Sequence, residues 1–64
     1  MSVKVMQITL DSGVIVEKSN GCFYLVINSR MIYINDKMLS LYPDDYRSRI
    51  IRAMEMINVK EREV

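Results

Sequence analysis

Between Val3 and Leu41 the chain alternates apolar and polar residues in four short runs. From Pro43 to about Lys60 the apolar residues instead recur every third or fourth position. The first spacing belongs to strands and the second to a helix with one apolar stripe. The run Val3 to Leu10 puts Met6, Ile8 and Leu10 on one side and Val3, Val5, Gln7 and Thr9 on the other. Asp11-Ser12-Gly13 is a turn, because Asp and Ser bond nearby backbone and Gly accepts a positive φ. Val14 to Lys18 resumes as a strand, and so short a connection predicts a hairpin. Ser19-Asn20-Gly21 is the strongest turn signal, since Asn-Gly tolerates the left-handed region at both central positions.

Cys22 to Asn28 is the most apolar run and is expected at the centre of the sheet. Phe23, Leu25 and Ile27 share one face; Cys22, Tyr24 and Val26 share the other. Asn28-Ser29-Arg30 turns the chain into Met31 to Asn35, with Ile32 and Ile34 on one face and Met31 and Tyr33 on the other. After a turn at Asn35-Asp36-Lys37, Met38 to Leu41 reads either as a fifth strand or as an apolar lead-in. Pro43 opens the helix, where its missing N–H is no loss. Asp44 and Asp45 complement the positive end of the helix dipole. Tyr46, Ile50, Ala53, Met54 and Ile57 form the stripe, which should pack on the face of Phe23, Leu25, Ile27, Ile32 and Ile34. Ile51, Met56 and Val59 fall off it and form a smaller apolar patch or are tolerated exposed residues. The expected fold is therefore α+β over residues 1–64: one domain, an antiparallel sheet of four or five strands in meander order, and one C-terminal helix packed on one face.

A sheet has two faces and one helix covers one. The uncovered face would carry Val3, Val5, Tyr24, Val26, Met31 and Tyr33, more apolar than a wetted face requires. Tyrosines on half-exposed sheets are common and need no ligand. Tyrosine beside Val and Met is also the composition of a protein interface. These six residues are the candidate partner-binding surface.

Composition sharpens that expectation. A chain of 64 residues buries only about 60% of the surface its unfolded form exposes, so a staple, a metal or a partner is usual at this size. One cysteine, Cys22, cannot form an internal disulfide. Beside Phe23 and Tyr24 it reads as a small buried apolar residue. With no histidine and one cysteine no ordinary zinc site is expected. Asp11, Asp36, Asp44 and Asp45 lack the alternating acidic pattern of a calcium loop. No cofactor is expected. A partner remains: another protein, a second copy, or both.

Without histidine there is no Ser–His or Cys–His pair. The two glycines stand alone in turns, so no phosphate-cradling loop is present. Asp44 and Asp45 are adjacent on a helix and diverge, so they are dipole partners rather than an acid/base pair. The chain is not expected to be an enzyme. The longest apolar run is too short to span a membrane and the N-terminus has no signal-peptide pattern, so a cytoplasmic location is expected.

The basic residues open a second possibility. Lys4, Lys18, Arg30, Arg47, Arg49 and Arg52, with Tyr24 and Tyr33 as stacking platforms, could contact nucleic acid. Against this, the net charge is only +1, and phosphate contacts carry much of such affinity. The bland reading is a self-paired helix surface, with Asp44–Arg47, Asp45–Arg49 and Arg52–Glu55 as local pairs.

A strand-rich start followed by one helix in about sixty residues resembles, in architecture, the carbon-storage-regulator type of dimeric RNA-binding protein. The arginine-rich first strand and the Gly/Ala/Pro turn of that family have no counterpart here, and no residue role carries over. In size and composition the chain also resembles phage-encoded proteins that bind a host enzyme. The expected function is a non-catalytic protein-interaction module, a homodimeric regulator or inhibitor of a larger protein. A nucleic-acid-binding regulator and a structural subunit of a homo-assembly are the alternatives.

Overall fold

A computed structural model describes residues 6–63. Four strands come first: β1 (Met6–Asp11), β2 (Val14–Ser19), β3 (Cys22–Ile27) and β4 (Arg30–Tyr33). Two helices follow, a one-turn α1 (Asp36–Leu39) and a long α2 (Asp44–Arg62). The strands form one antiparallel sheet in the order β1-β2-β3-β4, a strict meander. The α+β architecture is the expected one. Residues Val3, Lys4 and Val5, assigned to the first run, lie outside the described residues.

Turn chemistry sets the meander. Asn20 and Gly21 have φ of 53° and 79°, the left-handed pair that matches the twist of a two-residue hairpin. Asn28 and Ser29 repeat that geometry at 49° and 67°, an uncommon place for serine. The β1–β2 turn uses Gly13 at φ 80°, and the pairing shifts there between Thr9 and Asp11.

No fifth strand forms among the described residues. Met38 to Leu41 belongs instead to α1 and the turn after it. The Asn35 side chain accepts from the Met38 N–H at 2.8 Å and caps this turn, with Asp36 in its first turn. An N-capping Asn beside an acidic residue starts a helix. Met38 then turns inward and joins the core. Pro43 is the residue before α2 rather than its first helical one, and the helix runs to Arg62.

The core consists of Val16, Leu25, Ile34, Met38, Ile50, Ala53 and Ile57. Three of these come from the anticipated helical stripe, and Tyr46 and Met54 flank them half-buried. The stripe meets the expected face but not its whole width, because α2 lies over β1 and β2. Arg49 reaches the end of β1 at Leu10 and Asp11. Lys18, opposite Met6 in the ladder, reaches Asn58 and Glu61. So α2 runs antiparallel to β1, and its main contacts stop short of β4. Ile32, on the helix side, is accordingly still 37% exposed.

Candidate functional site

The ladder registers fix what lies side by side on the face away from α2. One row is Gln7, Glu17, Tyr24 and Tyr33; the next is Thr9, Ile15, Val26 and Met31. The rows change character from β1 to β4. Gln7 and Thr9 are exposed, and Gln7 donates to the Glu17 carboxylate at 2.7 Å. Beyond Glu17 the surface becomes apolar: Ile15, Tyr24 and Val26 are half-buried by their neighbours, while Met31 and Tyr33 are 53% and 54% exposed.

Tyr24 and Tyr33 are direct cross-strand partners, with ring centroids 6.0 Å apart and planes at 65°. Edge-to-face packing of this kind is a favourable arrangement for an aromatic pair. Val26 opposes Met31 in the neighbouring pair. Four of the six anticipated face residues, Tyr24, Val26, Met31 and Tyr33, are thus brought together. Val3 and Val5 lie outside the described residues. Ile15 belongs to the patch and was missed, although its alternation with Val14 and Val16 carries the signal. Cys22 shares this face opposite Ser19 and is half-buried rather than buried, because it lies on the face that α2 does not cover.

The basic residues do not assemble into one surface. Lys18 lies on the helix side, bound to the Asn58 amide at 3.1 Å and to Glu61, with its ammonium 5.3 Å from the Phe23 ring centre. Arg47 donates to the Leu39 and Tyr42 carbonyls at 3.1 and 3.0 Å and pairs with Asp44, tying α1 to α2. Arg49 donates to the Leu10 carbonyl at 2.8 Å and to the Asp11 carboxylate at 3.1 Å. The anticipated pairing of Arg49 with Asp45 is replaced by this longer reach, since β1 passes beneath that turn of the helix. No Arg52–Glu55 pair forms among the described residues. Arg30 stands at the start of β4 and Arg52 on the exposed side of α2. Lys4 lies outside the described residues.

Tyr46 stacks on Tyr42 at 5.6 Å, and the Arg49 guanidinium lies 5.4 Å over its ring. Its phenol is held above the usual tyrosine range, first by burial and then by the Asp11 charge, with Arg49 opposing.

Between β1 and α2 runs a shallow groove lined by Ile8, Leu10, Arg49, Arg52, Ala53 and Met56. Its volume of about 200 Å³ is below the roughly 300 Å³ at which small-molecule pockets usually begin. Among the described residues no three His, Cys, Asp or Glu side chains come together as a metal site would require. No helix among them is long and apolar enough to cross a membrane. No family model, curated protein or solved structure matches this chain.

Proposed function

We propose that this chain is a non-catalytic interaction module that acts by binding another protein through the β3–β4 half of its open sheet face. The observation that carries the reading is the one-sided patch of Ile15, Tyr24, Val26, Met31 and Tyr33, bordered by polar Gln7, Thr9 and Glu17. An apolar centre holding rigid aromatics with a polar rim is the anatomy of a protein contact surface. Met31 adds an unbranched side chain that adapts to the shape it meets. A regulator or inhibitor of a larger protein needs no more than such a surface.

The nucleic-acid reading has weaker support. Lys18, Arg47 and Arg49 are engaged within the chain. Arg49 and Glu61, the partner of Lys18, are twelve helical positions apart, or about 18 Å along the axis, so these cations do not converge on one phosphate track.

The test places a photo-crosslinking residue at Tyr24 or, as a control, at Thr9, in cells that naturally make the chain. The expected result is a crosslink to one defined protein from position 24, absent from position 9 and abolished by adding Tyr33→Glu. Position 24 giving no adduct, or none sensitive to Tyr33→Glu, would overturn the reading.

A further inference from the structure

We infer that the β4 edge is a pairing edge, and that its occupant is β4 of a second copy, joined across a two-fold axis at Ile32 into one eight-stranded sheet. This rests on the reading of the chain as an interaction module and names one partner for it.

All four residues of β4 are exposed. Met31 and Tyr33 are bare on one face and Ile32 on the other. A strand apolar on both faces is the pattern of an interior strand, yet β4 has one neighbour. Over its described residues the other edge is guarded. β1 is polar on its open face at Gln7 and Thr9, its ladder is irregular at Asp11, and the Arg49 guanidinium lies across its end on the Leu10 carbonyl. Charges and bulges of this kind stop a sheet edge from accepting another strand.

The backbone of β4 selects the register. The Ile34 N–H donates to the Phe23 carbonyl at 3.0 Å. Bonding alternates along an antiparallel ladder, so Ile32 and Arg30 also turn their backbone groups toward β3. Those of Met31 and Tyr33 point away from the sheet. A two-fold pairing centred on Ile32 sets Met31 against the partner's Tyr33, and Tyr33 against the partner's Met31. All four outward N–H and C=O pairs are then satisfied. The same register sets sulfur against aromatic ring twice. Edge pairing leaves the open faces uncovered and merges two patches into one continuous platform.

Light scattering on a sizing column should give twice the chain mass. Ile32 meets its own copy on the axis, so Ile32→Lys and Ile32→Glu should each give the single-chain mass through like-charge repulsion, and an equimolar mixture should restore the dimer. Ile32→Cys in a Cys22→Ser background should form a disulfide dimer on mild oxidation. The facing Cα atoms in such a non-hydrogen-bonded pair lie about 4.5 Å apart, within the roughly 4.4–6.8 Å that a disulfide spans. Thr9→Cys in the same background should stay reduced. Circular dichroism checks that the charged variants are folded, and the cysteine readout does not depend on them. A wild-type chain that stays single at every concentration overturns the edge pairing. So does a dimer that forms a disulfide from Tyr24→Cys but not from Ile32→Cys. Neither result touches the crosslinks from position 24, which decide the open-face reading separately.

Discussion

Tyr24 and Tyr33 face each other across β3 and β4 with their rings edge to face at 6.0 Å. Tyr33 is half in water while Tyr24 is held between neighbouring strands, so the two have different jobs. Replacing Tyr33 by Glu removes an aromatic pair worth about 0.5–1.5 kcal/mol and leaves the core intact. The expected outcome is a folded domain with a small drop in midpoint by thermal circular dichroism, together with loss of binding through the open face. A Tyr33→Glu chain that fails to fold would place Tyr33 in the core instead.

Ile50 is fully buried beneath α2, on the side facing β1 and β2. Ile50→Ala should cost about 2–5 kcal/mol, measurable by urea denaturation. Ile50→Asp should abolish the folded state, because a buried unpaired carboxylate costs more than a domain this small can spare. A folded Ile50→Asp chain would mean that the helix packs by another face.

The meander and the helical stripe were legible in the sequence because their signals are local. Asn20-Gly21 and Asp11-Ser12-Gly13 dictate turns whatever surrounds them, and period-two spacing says which residues share a face. Which strands α2 covers was not legible. Alternation assigns Leu25 and Ile32 to one face but carries nothing about the lateral position of the helix, so Ile32 was expected under cover that it lacks. The Met38 to Leu41 run was too short for its period to separate strand from helix, and the Asn35 cap decided it. Arg49 illustrates the same limit. Spacing rules offer partners three or four positions away, whereas Asp11 is 38 positions distant in sequence.

Arg47 holds the α1–α2 junction through two carbonyls and one carboxylate. Hydrogen bonds to a charged donor contribute about 1.5–3 kcal/mol, and the forked guanidinium supplies several at once. Arg47→Lys should therefore lose nearly as much stability as Arg47→Ala in urea melts. Arg49→Lys should lose less than about 1 kcal/mol, since its site is open to solvent and screened.

Ser29 sits at φ 67°, where a side chain is strained by about 1–2 kcal/mol. Ser29→Gly should raise the thermal midpoint, with the gain reduced by the extra freedom of glycine in the unfolded chain. Gly21→Ala at φ 79° should lower it through backbone strain alone, because a Cβ there would meet no atom within 4 Å.

The Tyr46 phenol titrates above its unfolded value, because burial and the Asp11 carboxylate both disfavour its anion. The folded state therefore keeps a proton that the unfolded state gives up. The associated stability is complete below the unfolded tyrosine pKa of about 10 and is lost as pH rises through the higher folded value. Tyr46→Phe should flatten that alkaline decline in melts recorded from pH 8 to 12.

Every strand in this sheet pairs with its neighbour in sequence, so each hairpin closes a short loop and needs nothing from the rest of the chain. The ties from α2 to the sheet are of another kind: Arg49 with Asp11 and Lys18 with Glu61 close loops of 38 and 43 residues. Loop closure costs entropy that grows with loop length, and rates fall as contacts become less local. The kinetic order follows from this. Hairpins are expected to form first with both faces wet, and α2 to dock last. A ribosome releasing this protein would hold an unroofed sheet until α2 emerged, so that interval adds a risk of clumping to the one the open β4 edge already carries.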